Sequence, residues 1–409
     1  MKSPSSTLIR RLSLKNYKSI ADCDVILRPL TFLVGPNGAG KSNFLDALRF
    51  VTDALRSSLD HALRERGGIK EVRRRSGGHP THFSLRLEFR LDSDTEGHYG
   101  FRIGAQPRGG YEVQKEECEI RAFGDKALAE TAFFKVRNGK VTSSVSVFPA
   151  ASSDRLYLVN ASGLPQFVHL YNALSRMGFY SLNPARIRDL QAPDAGDLLQ
   201  RDGSNLASVL ARLASSDTPT KQRIEEYLAK VVPGVYGVDA KAVGPRETLE
   251  FRQQVAGSPD PWRFLAANMS DGTLRALGIL VALFQATNGP GHRQVPLVGI
   301  EEPEVALHPA ASGILLDSLR DASGKTQVLV TSHSPDLLDD EDLDTESILA
   351  VISESGVTKV GPLDETGKSA LRDRLYTAGE LLRLNQLIPD KSASSPTEDQ
   401  AELFEDSNR

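Results

Sequence analysis

Several things are scarce in this 409-residue sequence, and each scarcity narrows what the chain can be. Only two cysteines occur, Cys23 and Cys118, far apart and without CxxC spacing. Neither a disulfide framework nor a thiolate zinc site is indicated, and the reducing cytoplasm is the expected compartment. No apolar stretch approaches the roughly 20 residues of a membrane span. The opening MKSPSSTLIRRLSLKNY also lacks an apolar core of signal-peptide length, so no membrane partner is expected. The formal net charge is −4, which gives the molecule no bulk attraction for nucleic acid or anionic lipid and leaves only a local basic patch to supply one. No internal repeat and no sustained heptad pattern occur. With 40 % hydrophobic and 25 % charged residues the composition is ordinary for a globular protein. The length suits two lobes sharing a continuous sheet.

What is present falls into a rhythm. Residues 8–34 read as strand, turn, strand: LIRRLSLKNYKSI alternates, and LTFLV is a short continuous apolar run, as a buried strand requires. Behind GPNGAGKS, the residues Phe44, Leu45, Leu48, Val51, Thr52 and Leu55 fall on one helical face. Residues 81–148 are alternating pieces broken by glycines and Asn-Gly, which predicts an antiparallel sheet. FYSLNPARIRDL predicts a short strand and a turn at Asn-Pro. Two short helices follow as an insertion over residues 200–232, the second with Thr218 as N-cap and Pro219 at N1. Residues 235–256 return to strand-like alternation. The final third alternates again: a helix after NMSDG, the strand PLVGI, the helix PAASGILLDSLRDAS, the strand TQVLVTS and a helix start at PDLLD. The expected division is an N-terminal lobe at 1–260, a C-terminal lobe at 261–390, and a disordered acidic tail at 391–409.

The chemistry begins at residues 35–42. GPNGAGKS matches GxxxxGK[ST] with a strand before it and a helix after it. Its glycines permit backbone angles that aim successive N–H groups at phosphate oxygens, and the helix N-terminus adds its dipole. Lys41 would place an ammonium on the β/γ-phosphates, and the Ser42 hydroxyl suits Mg²⁺. The candidate nucleotide contacts are Asn37, Gly38, Ala39, Gly40, Lys41, Ser42 and Asn43, with ATP and Mg²⁺ as the expected ligands.

A second feature needs that first one to make sense. The buried run Leu297 to Ile300 ends in two adjacent carboxylates, Glu301 and Glu302, and a proline. Ligands of doubly wound sheets sit at the carboxyl ends of the strands. Glu301 is therefore expected to face Mg²⁺, and Glu302 to orient or deprotonate the attacking water. One helix and one strand later, TQVLVTSHSPD ends in His333, an imidazole able to reach a γ-phosphate.

These pieces, together with Ser270 and Gly272 in NMSDGTLRALGIL, occur in the order found in ABC-type ATPase heads, which the chain resembles. More narrowly, LSLKNYKSI…LTFLVGPNGAGKSNFLDAL, IEEPEVALHP and VTSHSPDLL resemble the RecF/OLD-like branch of soluble chromosome-maintenance and phage-defence ATPases. The resemblance covers residues 8–55 and 265–340; between them only DGSNLASVLARL is similar. It implies a P-loop NTPase fold of α/β class: a mostly parallel core sheet, an antiparallel β subdomain and a small helical insertion. It also implies a homodimer, or a higher oligomer built on one, in which two heads pack head to tail. Ser270 and the backbone at Gly272 would then contact the γ-phosphate bound by the partner copy's phosphate loop. Asn16 and Lys18 would lie near the base, ribose or α-phosphate.

The sequence departs from the pattern in three places. Glu301 stands where most ABC heads have aspartate, His308 stands where an aspartate usually follows, and neither Gln166 nor Gln191 makes a convincing Q-loop glutamine. Long coiled-coil arms have no heptads to form them. The acidic run DLLDDEDLDTE reads as a solvated loop rather than as the metal site of a nuclease domain, so any nuclease is expected to be a separately encoded effector. The run RERGGIKEVRRRSGG, with Arg73, Arg74 and Arg75, is the candidate DNA contact; a solvated loop is its competing reading. The expected function is Mg-dependent ATP hydrolysis coupled to DNA or to that effector in phage defence. The alternatives are a RecF-like repair ATPase and a nucleotide-dependent scaffold without turnover.

Overall fold

The computed structural model describes residues 8–76, 80–123, 129–258, 260–285, 295–390 and Leu403. The expected disordered tail therefore lies outside the described residues except for Leu403. The strands, in chain order, are β1 (Ile9–Tyr17), β2 (Ile20–Ile26), β3 (Leu30–Val34), β4 (His82–Arg90), β5 (Thr95–Ala105), β6 (Tyr111–Phe123), β7 (Ala129–Arg137), β8 (Lys140–Ser143), β9 (Gly178–Tyr180), β10 (Val235–Val243), β11 (Arg246–Gln253), β12 (Trp262–Leu265), β13 (Leu297–Glu301), β14 (Gln327–Ser332), β15 (Ile348–Glu354) and β16 (Val357–Pro362).

Two compact units emerge, divided differently from the expected lobes. The first takes in the described residues within 1–177, 344–376 and 384–409, and the second those within 178–343 and 377–383. In the first unit ten strands hydrogen-bond in the order β8-β7-β6-β5-β4-β1-β2-β16-β15-β3. The β4 to β8 stretch is antiparallel, as the alternation over 81–148 predicts. β15 runs parallel to β3, with Ile348 opposite Phe32 and Ala350 opposite Val34, and β16 pairs in parallel with β2. Helix Lys41–Arg56 buries Phe44, Leu48, Phe50 and Val51. Phe50 meets Tyr17 and Phe83 edge to face, with centroids 6.2 and 5.4 Å apart. Each such pair contributes about 0.5–1.5 kcal/mol beyond the area it buries.

In the second unit β13 runs parallel to both β14 and β9. Its residues Leu297–Ile300 are all buried, as a strand covered on both faces requires. β10, β11 and β12 form a separate antiparallel sheet. Helices Asp271–Phe284 and Ser312–Ser323 supply much of the apolar cover. Together the units give a mixed α/β P-loop NTPase fold.

Two local expectations are corrected. The helix Thr218–Val231 is capped by Asp217, whose carboxylate accepts the Thr220 N–H at 3.2 Å, so Thr218 is its first residue and not the cap. A carboxylate also suits the positive end of the helix dipole better than a hydroxyl does. At Asn183-Pro184 the chain opens a short helix, with Asn183 accepting the Ala185 N–H at 3.0 Å.

Candidate functional site

The phosphate loop belongs to the first unit. β3 stops at Val34 and the helix begins at Lys41 with Gly40 as its N-cap. Gly38 and Gly40 adopt φ of 76° and 105°, which only glycine takes readily. A Cβ on Gly35 would overlap the Val351 carbonyl oxygen on β15, and one on Gly40 would overlap the Thr358 side chain on β16. The backbone therefore has no room for side chains on its rear side. Asn37 and Gly38 form an exposed lip, and Ala39 is buried behind it.

No side chain caps the helix, so the start of a 16-residue dipole points into the loop. Lys41 is 5 % exposed, and its ammonium donates to the carbonyls of Gly35 at 2.8 Å and Pro36 at 3.0 Å. A buried cation held by two neutral carbonyls gains from a phosphate oxygen arriving beside it. The Ser42 hydroxyl is exposed. This donor set fits a polyphosphate and its Mg²⁺.

Asn16 and Lys18 flank Tyr17 in left-handed conformations, with φ of 57° and 49°. The Lys18 ammonium pairs with Asp46 at 2.6 Å. Asp46 also accepts from Tyr17 at 2.8 Å and from Arg66 at 3.0 Å. Burial raises the Asp46 carboxyl, but Arg66 and then Lys18 outweigh it and hold the group at about 2. The basic run is strapped to the same turn. Lys18 N–H donates to the Val72 carbonyl and Arg74 N–H to the Asn16 carbonyl, each at 2.7 Å. Arg66 is turned inward onto Asp46 and Asp53 and stacks over Phe50 at 5.3 Å. Arg75 pairs with Glu71, and Arg73 donates to the Pro80 carbonyl.

The acidic strand end belongs to the second unit. Glu301 closes β13 beside Thr331 of β14, and its carboxylate meets Arg201 at 3.2 Å. Glu302 turns the chain with φ 46°, and its N–H donates to the Thr331 carbonyl at 3.0 Å. Its carboxylate lies 3.1 Å from His333 Nδ1, so the parallel pairing brings these two candidates together. To meet a carboxylate, Nδ1 must carry a proton, and Nε2 is left to face the opposite direction.

Two residues here carry no candidate role in the sequence. The Glu304 side chain is 8 % exposed, accepts from Ser332 Oγ at 2.7 Å and from the His333 N–H at 3.3 Å, and has an Oε2 without a hydrogen-bond partner among the described residues. Arg275 donates to the Glu302 carbonyl at 3.2 Å. Burial lowers its pKa, against the opposing pull of Glu304 and Glu302. The repeated acid in EEPE was the visible signal for Glu304; nothing in the sequence marked Arg275.

Ser270 caps the helix Asp271–Phe284, accepting the Thr273 N–H at 3.2 Å. A Cβ on Gly272 would overlap the Ala306 carbonyl, so the glycine lets this helix start approach the turn after Glu302. Ala306 itself is left-handed, at φ 67°. His308 caps the short turn Pro309–Ala311 through Nδ1. Gln191 is buried and engaged with Ile187, Gly203 and Ala207, while Gln166 is exposed.

A family model described as "AAA domain, putative AbiEii toxin, Type IV TA system" matches residues 30–339. The OLD nuclease of Thermus scotoductus is 24 % identical over 353 residues, which cover 80 % of this chain and 59 % of that protein. The Old nuclease of Escherichia phage P2 is 22 % identical over 358 residues, covering 80 % and 56 %. The chain thus spans a little over half the length of these relatives. Structural maintenance of chromosomes protein 1 of Schizosaccharomyces pombe is 28 % identical over 137 residues, 31 % of this chain and 11 % of that protein. Among solved structures, an SmcHead bound to the C-winged helix domain of ScpA has a TM-score of 0.55 at 16 % identity and covers 88 % of this chain and 99 % of its own. An Smc head domain from Pyrococcus furiosus, with an extended coiled coil and bound to the C-terminal domain of ScpA, also scores 0.55, at 13 % identity and 91 % and 99 % coverage. At these identities the structural likeness speaks for the fold alone.

Proposed function

The chain belongs to this AAA-domain family as an ABC-type ATPase head of the OLD/RecF-like type, and from that premise we propose that it hydrolyses Mg-ATP. In this reading two copies pack head to tail around ATP, and hydrolysis reopens the dimer. The shape change passes to DNA or to a separately encoded effector, a nuclease by class, in phage defence. The observation that carries the reading is the Glu302–His333 pair at adjacent strand ends, in a chain that also holds an uncapped glycine loop with a buried lysine.

Each residue has a physical task. The loop N–H groups and Lys41 would bind the phosphates, and Ser42 and Glu301 are the residues that would hold Mg²⁺. When bound, Mg²⁺ neutralises charge on the β/γ oxygens. Glu302 accepts a proton from, or orients, the attacking water, and the products are ADP and inorganic phosphate. His333, with Nδ1 on Glu302, points Nε2 away from it; protonated there, it donates to the γ-phosphate. Ser270 and Gly272 address the nucleotide of the second copy. Asn16 and Lys18 would lie near the base, ribose or α-phosphate.

Lys41→Ala is expected to lower ATP affinity by about 100-fold or more, because a charge-assisted contact is lost from a buried position. Glu302→Gln is expected to keep ATP affinity and lose about 100-fold or more in turnover, leaving a dimer that gel filtration detects with ATP present. Equal turnover in Glu302→Gln and the parent would remove Glu302 from catalysis. For DNA, alanine at Arg73, Arg74 and Arg75 together should weaken binding and flatten its salt dependence. An unchanged salt slope sinks the DNA assignment and leaves the effector as the output.

A further inference from the structure

The phosphate loop is held from behind by side chains that belong to none of its motif. Thr358 is 1 % exposed on β16, and its Oγ1 donates to the Ala39 carbonyl at 2.9 Å. The Ser19 hydroxyl lies 2.7 Å from Thr358 Oγ1, and the Asn43 amide donates to Ser19 Oγ at 2.7 Å. The backbone doubles the link, because Thr358 N–H donates to the Ser19 carbonyl at 2.9 Å.

The direction of this chain is fixed by its ends. An amide NH₂ only donates and a carbonyl only accepts. Protons therefore run from Asn43 Nδ2 to Ser19 Oγ, from Ser19 to Thr358 Oγ1, and from Thr358 to the Ala39 oxygen. Each member polarises the next, so the links strengthen one another.

The consequence falls on one peptide group. The Ala39–Gly40 peptide is planar and trans, so its C=O and N–H point in opposite directions. Holding the Ala39 carbonyl against Thr358 turns the Gly40 N–H away from Thr358 and β16. Gly40 lacks a Cβ at the place where Thr358 sits, so the close approach and the hydrogen bond occupy the same spot.

We propose that Thr358, acting through the Asn43–Ser19–Thr358 hydroxyl chain, is a positioning residue that presets the Gly40 N–H for a nucleotide phosphate. The proposal rests on the nucleotide reading above. It also gives Asn43 a task behind the loop, distinct from contact with the ligand.

The test is ATP and ADP affinity by calorimetry on the full chain, with melting temperature measured in parallel. Thr358→Val keeps the shape and removes the hydroxyl; it is expected to weaken both nucleotides by about 10-fold. Thr358→Ser is expected to restore affinity, which a merely space-filling role would not do. Should Thr358→Val fail to fold, Ser19→Ala breaks the same chain at a less buried position and is expected to weaken binding by about 3-fold. Parent-like affinity in Thr358→Val, or no recovery in Thr358→Ser, overturns the proposal provided Lys41→Ala weakens binding as expected above. If Lys41→Ala binds ATP like the parent, the nucleotide reading itself has failed, and this proposal fails with it.

Discussion

The phosphate loop and the acidic turn after β13 are both short polar segments at strand ends, yet they are built in opposite ways. In the loop, left-handed backbone angles fall on Gly38 and Gly40, where they cost little, and the Lys41 ammonium already has partners. In the acidic turn they fall on Glu302 and Ala306, which carry side chains. Each such residue costs on the order of 1 kcal/mol. The same turn leaves Glu304 Oε2 and Arg275 Nε buried without hydrogen-bond partners among the described residues. The difference separates two tasks. Under the proposed ATPase cycle, a loop that binds each time would be set before its ligand arrives, whereas a turn that responds would hold strain and unmet polar groups that a rearrangement can relieve.

Breaking the rigid half should have the larger effect. Gly40→Ala forces φ near 105° on a residue with a Cβ and pushes that Cβ into Thr358. ATP affinity is expected to fall by about 100-fold or more, since both the loop angle and the hydrogen bond behind it are lost. Calorimetry on folded protein decides the point, and an affinity within a few-fold of the parent would refute the claim of rigidity. Disturbing the strained half should be milder. Glu304→Ala removes the acceptor that holds Ser332 and the His333 backbone, so turnover is expected to fall by about 10-fold while ATP affinity stays unchanged. A loss in affinity instead of turnover would place Glu304 with the binding residues and erase the contrast between the two segments.

The elements that bear the candidate site are the most legible in the sequence. LTFLV, the glycine loop and its helix, the strand ending in Glu301 and the helix that follows NMSDG each announce themselves through local pattern, and each lies where that pattern predicts. The antiparallel stretch was equally plain. What could not be read depends on partners distant in the chain. ILAVISESGVTKVGP is a recognisable β-rich segment, but nothing local says that its two strands lie between β2 and β3. Arg66 looks like part of a basic run, and only the fold shows it buried on Asp46 and Asp53. The cap of the helix at residue 218 was missed because Asp217 and Thr218 are both good caps, and the choice between them depends on geometry. Glu304 stood in the same four letters as the two chosen glutamates. Its role shows only when β14 brings Ser332 and His333 alongside.

The late arrival of β15 and β16 has a consequence for synthesis. A ribosome delivers β2 and β3 early, but the strands that lie between them, and the Thr358 that braces Ala39, emerge only after residues 178–343 of the second unit have been made. At about 5–20 residues per second, the nascent chain spends many seconds with the flanks of β2 and β3 unpaired, a template for wrong partners. A nucleotide held by the completed loop would then act as a quality check, favouring chains translated past Pro362 over those released early.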